Sequence, residues 1–483
     1  MSIDTAINKT VAPFADSLFS VVFASIDIWT NPDGSVVEMP IILVWLLMVG
    51  IFFSFYLGFP NIRYFKHAVD VIRGKYDTKK AGDGSINRFQ ALATTLSGTV
   101  GLGNIAGVAV AISVGGPGAV VWMVFMGLIG MTTKFVECAL GVKYRIKLPD
   151  GNFSGGPMYY LDQCLRNTTA KHLGSFLAGL FAVCCIAGAI GGGNLFQSNQ
   201  AYEQLVNVTG GAEMSFFADK GWLVGLILGG LVASVILGGI KSIARVTSKI
   251  VPIMGAIYVG TGLIVIIINY QNIGPAFAAI FAGAFTFQSG LGGLLGAIIM
   301  GIQRGAFSNE AGFGSAAIGH AAAQTKDHVS QGFVAMLGPF IDTIIICTVT
   351  GLVITISGVY ETYTDGMAGV ALTSKAFADT ISWFPYLLAL SVFLFAFSTM
   401  ISWSYYGVKA TMFLFGESPI ARDAFKVFFC LCTIVGTTVD LNAVIKLTDA
   451  MIFAMAIPNI IGMYILASEF KGDLKAYTKK MKI

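Results

Sequence analysis

About eleven times between residues 41 and 467, the chain runs for some twenty residues with almost no charge. Roughly 20 apolar residues in a helix cross the hydrocarbon of a bilayer. Lipid offers a backbone no hydrogen-bond partners, so segments of that length must be helices that satisfy themselves. The runs lie at approximately 41–58, 89–113, 118–143, 173–206, 221–240, 246–270, 275–306, 331–358, 383–414, 421–438 and 441–467. They predict an all-α polytopic membrane protein with about 11 transmembrane helices. Composition agrees: charged residues make up 12% of the chain, about half the share of a soluble domain. The 58 glycines sit largely inside apolar runs, where small residues let helices approach closely.

Orientation follows from lysine and arginine in short loops, which stay on the cytoplasmic side. Residues 59–88, 143–172, 241–249 and the tail 468–483 hold most of the cations. Eleven spans place all four on one face, so the N-terminus is expected outside and the C-terminus in the cytoplasm. Residues 1–40 read as an extracytoplasmic segment, amphipathic over 11–28 and without a signal-peptide pattern. The span 41–58 then stands as an extra helix. Ten spans remain, as two five-helix halves, 89–270 and 275–467. Halves of five enter the membrane from opposite sides, which is an inverted repeat.

The first helix of each half carries paired glycines at mid-span: Ser97-Gly-Thr-Val-Gly-Leu-Gly-Asn104 and Thr286-Phe-Gln-Ser-Gly-Leu-Gly-Gly293. Each glycine weakens a helix by about 1 kcal/mol. A break there survives only if it lines a protected polar cavity, and matching breaks in two halves point to a substrate site. Close helix packing is the plainer use of such glycines.

Neither segment contains a charged residue. A substrate carboxylate can instead meet the N–H groups of Gly101, Leu102, Gly103 and Asn104 at the start of a half-helix. An ammonium group can meet carbonyls near Phe285 to Gln288. A cation can coordinate the carbonyls of Ser97 and Val100, with Ser398 and Thr399 as hydroxyl donors. Back-bonding to their own helix turn is the plainer use of those hydroxyls. Asn194 and Gln197 lie three apart on one helix face, and either orient a ligand or bind neighbouring helices. Phe285, Phe287 and Trp403 are candidate walls. Asp342 is a candidate by virtue of being an intramembrane carboxylate. Lys134 and Glu137 can pair, and Arg304 with Glu310 either forms a cytoplasmic gate or a surface ion pair.

The seven cysteines and four histidines form no cluster suited to metal binding, disulfides or catalysis. A channel would need a continuous polar pore, whereas polar groups concentrate near mid-depth. A secondary transporter for a small neutral amino acid fits best.

Four segments carry a resemblance. Arg304-Gly-Ala-Phe-Ser-Asn-Glu-Ala-Gly-Phe-Gly-Ser315 resembles the sodium:alanine (alanine or glycine:cation) symporter family. So do Gly101-Leu-Gly-Asn-Ile-Ala-Gly107, Gly193-Asn-Leu-Phe-Gln-Ser-Asn199 and Phe397-Ser-Thr-Met-Ile-Ser-Trp-Ser-Tyr-Tyr-Gly407. The resemblance implies a leucine-transporter-like 5+5 inverted repeat. It implies alanine or glycine as substrate, with proton coupling or glutamine preference as alternatives. It also implies Ser97, Val100, Phe395, Ser398 and Thr399 as sodium ligands, and Gly101, Gly103, Asn104, Gln197 and Trp403 as substrate contacts. The expected partners are a small neutral amino acid, sodium as the coupling ion with no other cofactor, and the lipid bilayer of a bacterial cytoplasmic membrane. No nucleic acid is expected.

Overall fold

The apolar runs become helices, and the polar residues between them set where those helices start. Asn87 caps the first helix of the expected repeat: its Oδ1 accepts from Gln90 N at 2.8 Å, and Gln90 Oε1 accepts from Asn87 N at 3.1 Å. This reciprocal pairing satisfies two N–H groups that a helix start leaves over. Asp327, Ser418 and Asp440 cap later helices one way only, each side-chain oxygen accepting from a first-turn N–H, each worth about 1 kcal/mol.

The computed structural model describes residues 3–30, 34, 36–76, 84–149, 151–166, 168–285, 290–362 and 369–483. Helix α1 (Ile3–Val22) leads into an antiparallel hairpin, β1 (Ser25–Thr30) with β2 (Val36–Pro40). Then come α2 (Ile41–Tyr56), α3 (Phe65–Ile72), α4 (Arg88–Thr99), α5 (Ala106–Gly115) and α6 (Ala119–Lys143). Next are α7 (Lys171–Val208), α8 (Gly221–Ile236), α9 (Gly239–Ile268), α10 (Ile273–Phe285), α11 (Gly290–Asn309) and α12 (Ser315–Ala321). The chain ends with α13 (His328–Ser357), α14 (Val370–Thr380), α15 (Phe384–Phe415), α16 (Pro419–Gly436), α17 (Leu441–Ile465) and α18 (Ala467–Met481).

Among the described residues, six helices (α6, α7, α9, α13, α15 and α17) are each long and apolar enough to cross a membrane, and the bent pair α4–α5 makes a seventh. Large apolar side chains such as Ile227, Ile267, Phe428 and Leu431 face outward. An apolar exterior of this kind is stable only in lipid.

Some expected boundaries move. Residues 25–30 form β1 rather than continuing the amphipathic segment. The basic stretch 241–249 is not a loop but the opening of α9. Cations there cost little, because long side chains at a helix end reach the interface.

The basic loops gather at one end of the bundle. Ser85 N donates to Ala322 O at 2.8 Å, and Ser85 Oγ to Asn152 Oδ1 at 2.9 Å. Arg145 donates to Ala321 O and Ala323 O, while His328 and Lys143 both meet Asp473 of α18.

Through the middle, α4–α5 and α11–α12 lie side by side in opposite directions. A Cβ on Gly115 would meet Met300 and Ala297, one on Gly103 would meet Phe307 and Ser308, and one on Gly319 would meet Thr95. As numbers fall along one helix they rise along the other, which is an antiparallel register.

Candidate functional site

The first interruption falls where the paired glycines stand. Helix α4 stops at Thr99, a single 3-10 turn covers Leu102–Asn104, and α5 leaves at 56° to α4. Gly101 sits at the closest approach: a Cβ there would lie 2.6 Å from Thr399 Oγ1 and 3.1 Å from Gln197 Oε1. Only glycine lets three elements meet at that point.

The N–H groups freed by the break already have partners. Gly101 N donates to Asn104 Oδ1 at 3.0 Å, Leu102 N to Gln197 Oε1 at 3.0 Å, and Asn104 N to Gly101 O at 3.1 Å. So the expected cluster of bare donors is present in position but occupied by amide oxygens. Gln197 Oε1 stands on Leu102 N as a carboxylate oxygen would.

The second expected interruption, 286–293, falls where α10 ends at Phe285 and α11 begins at Gly290. Helix α11 is already formed at Gly290 and runs unbroken to Asn309, so residues 290–293 are helical. Residues 286–289, including Phe287 and Gln288, lie outside the described residues. Phe285 is no pocket wall: it is 57% exposed, with its ring against Trp122. The break that meets 97–104 is Glu310–Gly314, between α11 and α12. Three of its five residues are left-handed: Glu310 (φ 54°), Gly312 (φ 92°) and Gly314 (φ 77°). Glycine accepts this conformation without penalty, whereas Glu310 does not.

That break is held by side chains from other helices. Glu137 of α6 accepts from Gly312 N at 3.0 Å and Gly314 N at 3.1 Å. Asn459 of α17 donates to Gly312 O at 2.8 Å and to Glu137 at 3.1 Å. Lys134 donates to Asn309 O at 2.8 Å and lies 3.9 Å from Glu137, so the expected Lys134–Glu137 pair forms, deep in the protein. Glu310 itself accepts from Ser315 Oγ and from Trp403 Nε1 at 3.1 Å.

Trp403 joins the two breaks. Its Nε1 lies 3.2 Å from Gly98 O and 3.1 Å from Glu310 Oε1. One turn earlier on α15, Thr399 Oγ1 donates to Ser97 O at 2.9 Å. Ser97 Oγ reaches Ser398 O at 3.2 Å and also the hydroxyl of Ser402. Ser398 Oγ donates to Phe395 O at 3.1 Å, and Val100 and Phe395 are both buried beside them. The oxygen-rich seam between α4 and α15 therefore contains the five expected cation-site residues, with hydroxyls resting on the carbonyls.

Other expectations fail. Asn194 does not share a face with Gln197, because Gly191–Leu195 is a π segment. The extra residue per turn rotates Asn194 away, and its Nδ2 donates to Phe429 O at 2.6 Å. Arg304 and Glu310 are both buried and do not pair with each other. Arg304 pairs with Asp449, which also accepts from Gln303 at 2.8 Å. A buried guanidinium takes the nearest carboxylate it can reach bidentately or by charge. Asp342, in a π segment of α13, accepts from Asn104 Nδ2 and from Ser308 Oγ at 3.3 Å.

Reading the sequence alone missed Asp449, Asn459, Ser308 and Ser402. Only Asp449 left a mark, as a carboxylate eight residues into an apolar run.

The profile of the family described as the sodium:alanine symporter family matches residues 24–483. The chain belongs to that family. Sodium:alanine symporters similar to it include the sodium/alanine symporter AgcS of Methanococcus maripaludis, 40% identical over 452 residues that cover 93% of this chain and 96% of AgcS. The probable sodium/glutamine symporter GlnT of Bacillus subtilis is 34% identical, covering 92% of this chain and 88% of its own length. Among solved structures, that of MhsT in complex with L-phenylalanine superposes with a TM-score of 0.58 at 16% identity, over 80% of this chain and 89% of MhsT. So distant a likeness speaks for the fold, that of a multi-pass membrane transporter. The family is one of transporters.

Proposed function

We propose that this protein couples inward sodium movement to uptake of a small neutral amino acid, alanine or glycine, by alternating access. The observation that carries this reading is Trp403 Nε1 standing between Gly98 O and Glu310 Oε1, so that both chain breaks share one wall. Around that wall the zwitterion has complementary ends. Its carboxylate takes over the Leu102 and Gly101 N–H groups from the amide oxygens of Gln197 and Asn104. Its ammonium turns toward Glu310 and the carbonyls of the second break, which replaces the carbonyls near Phe285 as the cationic end. A Cβ on Gly193 would strike Trp403, so α7 packs tightly on that wall; a small side chain is what the similarity to the sodium/alanine symporter supports. Sodium sits between α4 and α15, where the Ser398 and Thr399 hydroxyls turn their lone pairs inward and join the carbonyls of Ser97, Val100 and Phe395.

In this reading eleven helices span a bacterial cytoplasmic membrane, α2 being the extra one. The helices of 89–270 and 275–467 form two inverted repeats, with α4–α5 opening the first and α10–α11 the second. The basic end faces the cytoplasm.

A second reading, proton coupling, draws on Asp342, which is wholly buried and bonded to Asn104 at the first break. Uptake of labelled alanine, glycine and glutamine into proteoliposomes separates these readings. Accumulation that requires a sodium gradient, with alanine or glycine preferred, is the expected result. Uptake driven by a pH gradient without sodium, and abolished by Asp342→Asn, would replace sodium with protons. Glutamine preference would overturn the small-substrate assignment.

A further inference from the structure

Between the turn joining α8 to α9 and the start of α16 lies a cavity of about 410 Å³ that the transport site does not use. Its polar wall comes from Lys409 of α15 and Arg422, Asp423 and Lys426 of α16. Asp423 accepts from Arg422 at 2.8 and 3.0 Å and lies 3.8 Å from Lys426. Arg422 and Lys426 thus face one carboxylate, and this wall keeps a net positive charge. Asn152, which bonds Ser85 at the basic end, also lines it. The mouth therefore opens at the end of the bundle where the lysine- and arginine-rich loops gather.

The rim has the opposite character. Leu237 on the turn is 70% exposed, and on α16 Ile420 and Val427 flank the cations at 83% and 62% exposed. Arginine and lysine at an interface bind phosphate oxygens through charge-assisted hydrogen bonds, and basic pockets between membrane helices suit anionic headgroups. A free anion would satisfy the cations and leave the apolar rim unused, whereas an amphiphile matches both.

We propose that this cavity is a phosphate site filled by the headgroup of an anionic phospholipid whose chains lie along α16. The inference needs the chain to be membrane-embedded but not the sodium reading, so either can fail alone.

The full chain in neutral detergent, titrated with phosphatidylglycerol or phosphatidylcholine and read by native mass spectrometry, tests it. The expected result is preferential retention of phosphatidylglycerol, weakened roughly tenfold or more in the Arg422→Gln, Lys426→Gln double variant, since each cation near an anionic headgroup contributes appreciably. Asp423→Asn should strengthen retention, which guards against a double variant that simply folds poorly. Equal retention of the two lipids, undiminished binding by the double variant, or weaker binding by Asp423→Asn overturns the site. A thermal shift with inorganic phosphate is the other arm. Stabilisation by phosphate equal to that by phosphatidylglycerol, lost in the double variant, overturns the lipid as the source.

Discussion

At Leu102 the peptide N–H is held by a neutral amide oxygen that a substrate carboxylate can replace. Gln197→Glu puts a permanent carboxylate on that donor. KM for the amino acid should then rise about tenfold or more, the equivalent of roughly 1.4 kcal/mol of lost competition, and initial-rate uptake across substrate concentrations checks it. An unchanged KM removes Gln197 from the site. Thr399→Ala takes away a hydroxyl that rests on Ser97 O. The sodium concentration for half-maximal uptake should increase while the preference among alanine, glycine and glutamine stays the same. Arg304 and Asp449 are a buried pair far from water. Asp449→Ala leaves the guanidinium without its counter-charge, at a cost of about 3–5 kcal/mol. Combining Arg304→Met with Asp449→Leu should recover most of that loss, because an apolar pair needs no counter-ion. Melting temperatures in detergent measure both.

Among the elements, the α4–α5 break leaves no room for added volume. Gly101→Ala sets a methyl group 2.6 Å from Thr399 Oγ1, and uptake should fall at least about tenfold with protein yield preserved. Gly230→Ala, where a Cβ meets nothing within 4 Å, should leave uptake intact. Helix positions and the first break were legible in the sequence because both are local: a long apolar run, then glycines at mid-run. Of the second expected break, Phe287 and Gln288 lie outside the described residues, while Gly290 to Gly293 already belong to α11, whose later glycines serve packing. A Cβ on Gly301 would strike Trp122 and one on Gly305 would meet Met123 and Met126, so these glycines let α11 and α6 pack closely. The break at Glu310–Gly314 carried a subtler mark, a glutamate followed by alternating glycines. What holds it could not be read locally, since Glu137 and Asn459 are 322 positions apart. Asn194 was misplaced for a related reason: the π turn at Gly191–Leu195 breaks the 3.6-residue periodicity on which the shared face was argued.

For the whole molecule, the proposed symport makes a prediction about driving force. One sodium crossing about 100 mV releases about 2.3 kcal/mol, and a tenfold concentration ratio adds about 1.4 kcal/mol. Together they sustain roughly 500-fold accumulation at one sodium per substrate. Short-circuiting the potential at the same ratio should lower the plateau to about tenfold. A plateau that ignores voltage would rule out net charge movement.

The chain contains six tryptophans, of which Trp403 alone is fully buried, while Trp29, Trp222 and Trp383 are exposed. Its indole sits where two halves of the molecule touch. Any rearrangement there alters the polarity around one shielded fluorophore, so the emission difference between the protein and a Trp403→Phe variant provides an intrinsic optical gauge of substrate binding, with no label attached.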